Sequence, residues 1–274
     1  GFAIYGFGSV AVSEVSQFAL FNALNGATIK NIVFGEANLD TIISYSFAST
    51  NDNVINLSLI ANNANNSTIE DITLHNFKFV LQGNGRLTEN IYIGGLIGIS
   101  ENTTISGSIL EVEVQFDVDF TSRNSYIGGI VGNATGTTIN SSSTRVTSVE
   151  FAITQSKTNR TFSHIGGLIG YLIGDSDRNT GIFNATSYVT FNNIYASNLG
   201  GVVGFISRAR VEDSTSNGSI VHTGINNDTN IGAIAGTSQS GIILGNTINL
   251  TYDIGIINST SSSIYIGAVA GRLT

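Results

Sequence analysis

The sequence predicts an all-β chain wound into a β-solenoid, a parallel β-helix with about three strands per coil and seven to eight coils of roughly 35 residues. Two observations carry this prediction. A glycine-rich heptapeptide first appears complete at residues 92–98 as YIGGLIG, and it returns at residues 126–132 and 164–170. An aliphatic residue followed by small polar residues stands seven positions after most closing glycines, as Ile105 does after Gly98. Regular self-similarity at a period of roughly 20–50 residues is typical of solenoids, propellers and arrays.

The closing glycine of the heptapeptide sets the period of the coil. Asparagine replaces this glycine in two degenerate copies near the start of the sequence. The replacement is physically reasonable because glycine and asparagine both tolerate left-handed backbone at a tight corner. These landmarks recur every 32 to 40 residues. They are Asn22, Asn62, Gly98, Gly132, Gly170, Gly204, Gly236 and Gly271.

The landmarks also define the expected domain organisation. Residues 18–274 are expected to form a single solenoid that continues beyond both ends in a longer parent chain. Residues 1–17 are expected to be an initial strand or a cap. A helix over residues 13–24 is the competing interpretation, with Ser13 as its N-cap and Gly26 as its stop signal.

Three strands are expected in each coil. The glycine motif alternates apolar residues with glycine, and it is interpreted as one strand. The aliphatic residue with its small polar neighbours marks the second strand. The third is the longest, as at residues 110–120, where strict alternation predicts one buried face and one solvent face.

Stacked coils should place equivalent residues in columns along the solenoid. Paired strands lie about 4.8 Å apart, so one interior column should be aliphatic. Its members are Leu96, Ile130, Leu168, Val202, Ile234 and Val269. The neighbouring column contains only glycine and alanine, which predicts that another sheet or a sharp corner passes too close for a larger side chain. This small column comprises Gly95, Gly129, Gly167, Gly201, Ala233 and Ala268.

This pattern resembles the GLUG-motif repeats, in which two glycines, an aliphatic pair and a third glycine precede an isoleucine with small polar neighbours. The matching segments are residues 94–105, 128–139, 166–182, 200–211 and 232–243. The resemblance implies a β-helix-like protein that is secreted or displayed on a cell surface, often within a large adhesin-like polypeptide. It carries over no catalytic residue, because the motif contains none.

Composition narrows the classes of partner. The formal net charge is −8, and the 11 lysine and arginine residues are scattered. Nucleic acid and anionic membranes both require a basic surface, so we expect neither nucleic-acid binding nor membrane insertion. The absence of cysteine favours a reducing compartment, but abundant N-glycosylation sequons favour an extracellular or cell-surface location. The sequon asparagines are Asn56, Asn65, Asn66, Asn102, Asn133, Asn140, Asn159, Asn184, Asn217, Asn227, Asn249 and Asn258.

Carboxylates could serve a polysaccharide-cleaving β-helix only if two or three of them converge. One face of the longest predicted strand carries four acidic residues, Glu111, Glu113, Asp117 and Asp119. A face that points to solvent explains their acidic character equally well. Counting from the aliphatic landmarks predicts a surface ladder in which three charged side chains lie on successive coils. These are His75, Glu111 and Arg145.

Two further candidates have structural explanations. His164 occupies the position of Tyr92 and Tyr126, which predicts a flat ring stacked on a strand face. Asp175, Asp177 and Asn179 place oxygens at alternate positions, as calcium loops do, but the twelfth position is threonine rather than glutamate. A turn-rich insertion explains this segment better. We therefore predict no catalytic residue, no metal site and no cofactor.

The sequence thus favours an extracellular structural or adhesive protein, a glycosylated surface scaffold or filament-forming protein without catalysis. Its expected partners at the open solenoid ends are another copy of itself or an adjoining part of the chain. Glycans or cell-surface components are also expected partners. The alternative is a carbohydrate-active β-helix enzyme or a glycan-binding module. A third interpretation is a solenoid that faces ice or a mineral, which requires a flat array of threonines. The pairs Thr103-Thr104 and Thr137-Thr138 are the beginning of such a pattern.

Overall fold

A computed structural model of the chain describes residues 2–4, 10–13, 16–36, 40–47, 54–87, 89–120, 124–142, 145–155, 162–175, 179–225, 228–256 and 263–274. Within these residues the chain is all-β, contains no helix and forms a parallel β-solenoid of about six turns. Its strands belong to three sheets, which we call sheets A, B and C. The expected all-β parallel β-solenoid is confirmed.

The strands are numbered in chain order. Sheet A contains β1 (Phe2–Ile4), β2 (Val10–Ser13), β5 (Thr28–Phe34), β6 (Thr41–Phe47), β9 (Thr68–Leu87), β12 (Thr104–Ser106), β13 (Ile109–Phe120), β16 (Thr138–Asn140), β17 (Ser148–Gln155), β20 (Gly181–Phe183), β21 (Thr186–Asn192), β24 (Arg210–Glu212), β25 (Thr215–Ile225), β28 (Ile242–Leu244) and β29 (Thr247–Ile256). Sheet B contains β3 (Gln17–Phe18), β7 (Ile55–Leu57), β10 (Ile91–Gly94), β14 (Ser125–Gly128), β18 (Phe162–Gly166), β22 (Ala196–Gly200), β26 (Thr229–Gly232) and β30 (Ile264–Gly267). Sheet C contains β4 (Phe21–Asn25), β8 (Ala61–Asn65), β11 (Ile97–Glu101), β15 (Val131–Thr135), β19 (Ile169–Ile173), β23 (Val203–Ser207), β27 (Ala235–Gln239) and β31 (Ala270–Leu273).

One turn of the solenoid passes through β10 in sheet B, β11 in sheet C, and then β12 and β13 in sheet A. Each strand pairs in parallel with its counterpart one coil away, so that Tyr92 lies beside Tyr126 and Gly94 beside Gly128. The aliphatic column follows this register, with the amide of Leu96 donating to the Ile130 carbonyl at 3.0 Å. Its members are buried except Val269, in the last coil.

The glycine motif is a corner between two sheets, which corrects its interpretation as one strand. β10 ends at Gly94 and β11 begins at Ile97, so that residues 95 and 96 form the bend. A Cβ atom at Gly94 would overlap the Ile97 carbonyl oxygen. The alternation of apolar residues with glycine therefore reflects a chain that doubles back on itself, and its resemblance to a strand pattern is coincidental.

Two further corners use left-handed backbone. The residue that follows a sheet C strand has a positive φ in most coils, for example Asn66 at 48° and Asn102 at 45°. A second left-handed position follows five residues later, as at Asp71 with φ 53°. Asparagine and aspartate tolerate this region better than most residues. Corner geometry therefore explains why asparagine or aspartate stands at these positions.

The first coil shows that the competing helix over residues 13–24 is wrong. Gln17–Phe18 and Phe21–Asn25 are strands, and Phe18 pairs with Leu57 of the next coil. Ahead of them, β1 pairs with β5 and β2 pairs with β6 in sheet A. The period of the repeat thus outweighs the local capping signals.

Candidate functional site

A cavity of about 250 Å³ lies on the outer face of sheet A. It lies over the middle of the long strands β9, β13, β17 and β21. Apolar residues of these strands, such as Val112 and Val114, point into the solenoid and are buried. The alternating residues point outward, so the cavity has a polar rim formed by Asp40, Lys78, Glu111, Glu113, Glu150 and Tyr188.

The register brings the outward side chains together. Glu111 lies beside Glu150, and Glu150 lies beside Tyr188 on the next strand. Glu113 forms an ion pair with Lys78 at 2.8 Å. Glu111 accepts a hydrogen bond from the Asn76 amide at 3.1 Å, and its carboxylate lies 3.5 Å from His75 Nδ1. The cavity therefore offers carboxylate oxygens beside a tyrosine ring that is 47% exposed.

The expected charged ladder is only partly present. His75 and Glu111 meet, but Arg145 lies outside the long strand and donates from Nη2 to Thr73 Oγ1 at 2.7 Å. The reason is an insertion. Ile105 pairs with Ile139, whereas Ile109 pairs with Ser148. The segment that connects the two strands is therefore longer in the coil of Ile139 than in the coil of Ile105. Asp117 and Asp119 follow along β13 and pair with Gln82 and Arg86 through the backbone.

Sequence reasoning identified Glu111 and Glu113 on this face but did not identify Glu150 and Tyr188 as their neighbours. The period of the aliphatic landmarks misplaces Glu150 because of the same insertion, whereas Tyr188 stands six residues after Ile182, as Glu111 does after Ile105. The alternation of Val149-Glu150-Phe151, aligned with that of residues 110–120, is the signal that would have found Glu150.

An aromatic stack is formed by rings of sheets B and C that contact one another. Tyr92 and Tyr126 are stacked with centroids 5.2 Å apart, and Tyr126 and His164 are stacked at 5.5 Å. From sheet C, Tyr171 lies 4.8 Å from His164 and stacks on Phe205 at 4.8 Å. The rings cover one another's faces along the solenoid axis, so their main contribution is to packing between coils.

His164 remains neutral in this stack near pH 7. Burial lowers the pKa of His164 to about 4, and the Asn198 side-chain nitrogen lies 3.0 Å from His164 Nδ1. Burial is also the main cause that raises the pKa of Tyr126, with smaller contributions from Tyr92 and Tyr171. A protonated His164 would place an unpaired charge among rings, which is why the neutral form is favoured.

The small column lies where two sheets and the next coil meet. A Cβ atom at Gly129 would overlap the Gly167 carbonyl oxygen and lie 2.6 Å from Val149 Cγ1. Gly95 and Gly201 face the carbonyl oxygen of the next coil in the same way, and Gly167 also faces the hydroxyl of Ser187. Ala233 is buried, whereas Ala268 in the last coil is exposed.

Two residues of the calcium candidate, Asp175 and Asn179, belong to the described part of the chain. The amide of Asn179 donates to Asp175 Oδ1 at 3.2 Å, and the amide of Asp175 donates to Thr180 Oγ1 at 3.2 Å. Asp177 lies outside the described residues. Among the residues whose placement is described, no three side chains of the metal-binding types form a cluster.

The sequon asparagines differ in accessibility. Asn56 is buried in β7, where its side-chain nitrogen donates to the Asn62 carbonyl at 3.0 Å. Asn66, Asn102, Asn184 and Asn249 are exposed. Asn65, Asn133, Asn140 and Asn217 are half-buried. Asn159, Asn227 and Asn258 lie outside the described residues.

The threonine pairs do not form the array that an ice-facing surface requires. Thr103 and Thr137 are buried, and the hydroxyl of Thr137 lies 2.8 Å from that of Ser100. Their neighbours Thr104 and Thr138 do point outward in one row with Thr68. The corresponding strand of the next coil begins with Gly181, so the row stops there.

Comparisons with known proteins bear on one coil. Residues 195–221 match the family model described as the GLUG motif. This segment contains β22, β23 and β24 and enters β25, so the match supports the resemblance to GLUG-motif repeats and covers most of one coil of the solenoid. No curated protein and no solved structure matches the chain. In the described residues, no helix is long and apolar enough to cross a membrane.

Proposed function

We propose that the chain is an extracellular structural or adhesive repeat protein, a glycosylated scaffold without catalysis. The observation that carries this proposal is the continuous stack of three parallel sheets. Most of the sequence forms the apolar interior of this stack and the corners between its sheets, and so serves to build the fold. The GLUG-motif match adds the resemblance to surface repeats. We also propose seven to eight coils, which the eight-stranded sheets B and C favour, with the strands of each coil shared among three sheets.

Secretion with site-specific glycosylation tests the location. The chain, directed into a eukaryotic secretory pathway, should acquire glycans at the exposed corner residues Asn66, Asn102 and Asn184 and remain unmodified at buried Asn56. Peptide mass spectrometry after enzymatic deglycosylation reads each site separately. Full secretion with no occupied sequon would remove the glycoprotein part of the proposal. Substitution of Asn66, Asn102 and Asn184 by glycine preserves their left-handed corners and controls for effects on folding.

The second candidate is a glycan-binding module, which the cavity on sheet A favours. Carboxylates accept hydrogen bonds from sugar hydroxyls, and an exposed tyrosine ring can pack against the apolar face of a pyranose. Tyr188→Ala and Glu150→Gln should each weaken binding of a neutral oligosaccharide by at least tenfold in calorimetry. Tyr265→Ala, which removes a similarly exposed ring from another sheet, is the control. Equal affinity in all three variants would exclude this site.

A further inference from the structure

The cavity on the outer face of sheet A lies above a small residue that stands between longer ones. Ala152 of β17 is in register with Glu113 of β13 and with Thr190 of β21, and all three line the cavity. The methyl group of Ala152 leaves space above β17, and the buried ring of Phe151 lies beneath it. Each of these strands has a paired strand on both sides, so the cavity belongs to the inner coils.

A β-bulge holds one carboxylate at the wall of this cavity. The register of β9 against β13 shifts between Leu110 and Val112, where β9 has one residue more than its partner. Asn76 lies in this bulge with left-handed backbone, at φ 46°, and its amide donates to the Glu111 carboxylate at 3.1 Å. Bulges commonly redirect a side chain beside a functional site. Here the bulge fixes the orientation of Glu111 towards the cavity.

The cavity has an excess of negative charge. Four carboxylates line it, and among the described residues that do so Lys78 has the one basic side chain. Lys78 pairs with Glu113 at 2.8 Å, and no ion pair within the described residues includes Glu150 or Asp40. The described carboxylates do not converge in a group of three that could hold a metal ion. Their spread along the face suits the charge of an organic cation with a longer body.

The negative charge lies at one end of a row of outward side chains that runs along the solenoid axis. The row contains, in register on successive strands, Glu111, Glu150, Tyr188, Asn217 and Asn249. Neighbouring strands are about 4.8 Å apart, which is close to the length of one pyranose unit in an extended glycan. The row therefore presents carboxylates, an exposed ring and then amides to successive units of a linear glycan.

We propose that this face binds a linear glycan with free amino groups, whose chain lies along the solenoid axis. This inference rests on the glycan-binding candidate and specifies the chemistry of its ligand. The ammonium group of one sugar unit lies among Glu111, Glu113 and Glu150, which accept charge-assisted hydrogen bonds from it. The next unit packs on the ring of Tyr188, and a later unit reaches the amide of Asn217. An N-acetylated glycan fits the same row but leaves the carboxylates without a countercharge.

Calorimetric titration of the chain, produced without glycosylation, tests this inference with two probes. Both are pentasaccharides of β-linked glucosamine, one with free amines and one fully N-acetylated. In mildly acidic buffer, where the amines are protonated, the amino probe should bind at least tenfold more tightly, and added salt should reduce this preference. Equal affinities would overturn the recognition of the amine but leave the glycan-binding candidate intact. Binding of neither probe would overturn both and leave the scaffold role intact.

Variants of the charged residues make the test specific to this cavity. Glu150→Gln should weaken the amino probe at least tenfold more than the acetylated probe, so that the preference disappears. Lys78→Met releases Glu113 from its ion pair and should strengthen binding of the amino probe at least threefold. Glu101→Gln removes an exposed carboxylate from sheet C and is the matched control, which should leave both affinities unchanged. Unchanged or weaker binding of the amino probe to Lys78→Met would contradict the electrostatic basis of the proposal.

A further pair of variants tests the shape of the cavity. Ala152→Leu fills the space above β17 and should weaken both probes at least tenfold, whereas Ala152→Ser is similar in size to the wild type and should retain binding. Circular dichroism confirms that each variant is folded. Full affinity in folded Ala152→Leu would show that the ligand lies elsewhere and would overturn the site. A lysine pentapeptide that binds as tightly as the amino probe would show that the ammonium group is recognised without a sugar, and would overturn the assignment to a glycan.

Discussion

The corner between sheets B and C and the outer face of sheet A belong to the same coils, but they constrain the sequence very differently. At the corner, a carbonyl oxygen of the next coil occupies the space that a Cβ atom at Gly129 would need. On the outer face, Glu111, Glu150, Tyr188 and Asn217 succeed one another in register on four consecutive strands. Backbone contact fixes residue size at the corner, whereas solvent allows the outer face to vary. The glycine motif therefore recurs in the sequence because the backbones of neighbouring coils are in contact at this corner.

The largest expected effect is at this corner. Gly129→Val should destabilise the fold by about 3 kcal/mol or more, because the atoms it meets include main chain that cannot move without shifting the next coil. Urea denaturation followed by circular dichroism measures the loss. Ala268→Val is the matched control in the same column, and it should cost less than about 0.5 kcal/mol because Ala268 is exposed in the last coil. Similar losses for both variants would remove the distinction between inner and end coils.

The aromatic stack should make stability depend on pH. The pKa of His164 is lowered to about 4 in the folded chain from its ordinary value of 6.5. The unfolded chain therefore binds the proton more readily between these values. Stability is fully present above pH 6.5 and falls as the pH decreases towards 4, by about 3 kcal/mol at 1.4 kcal/mol per pKa unit.

Comparison with His164→Tyr isolates this contribution, because tyrosine occupies the same position at Tyr126. The difference in unfolding free energy between wild type and variant should change over pH 4–6.5 and be constant above it. Nuclear magnetic resonance titration of the His164 ring checks the same point independently. A midpoint near 6.5 in the folded chain would show that the ring is solvated.

A smaller effect should distinguish two kinds of buried hydroxyl. Ser187 Oγ is buried against the glycine corner without a hydrogen-bond partner, whereas the hydroxyl of Ser100 lies 2.8 Å from that of Thr137. Ser187→Ala should be neutral or stabilise the chain by about 1 kcal/mol, and Ser100→Ala should destabilise it by about 1 kcal/mol. Thermal unfolding of both variants measures these changes in stability, which should have opposite signs. Equal destabilisation would show that Ser187 has a partner.

The smallest effect is expected on the outer face. Glu113→Gln breaks the ion pair with Lys78, in which the Glu113 side chain is well exposed, and the loss should not exceed about 1 kcal/mol. Repeating the denaturation in high salt should remove most of the difference from wild type. A loss that persists in high salt would indicate that the carboxylate contributes to the fold by another route.

The sequence predicts the elements of this fold that depend on period and residue size. Landmark spacing identifies the coils, and the neighbouring columns of Leu96 and Gly95 follow from that spacing. It does not predict the sharp bend at Gly94, because a doubled-back chain and a strand produce the same alternation of apolar residues and glycine. The position of Glu150 in the cavity depends on an insertion between Ile139 and Ser148, which no landmark marks.

The central claim is the parallel, coil-to-coil register, and the absence of cysteine makes it directly measurable. Glu111 and Glu150 are paired and outward-facing, so their Cα atoms should lie within the roughly 4.4–6.8 Å that a disulfide spans. The double variant Glu111→Cys with Glu150→Cys should form an intramolecular disulfide under mild oxidation, detected by peptide mass spectrometry. Glu111→Cys with Ala152→Cys places the thiols two residues out of register, about 8 Å apart, and should remain reduced. Preferential oxidation of the second pair would contradict the register on which the solenoid depends.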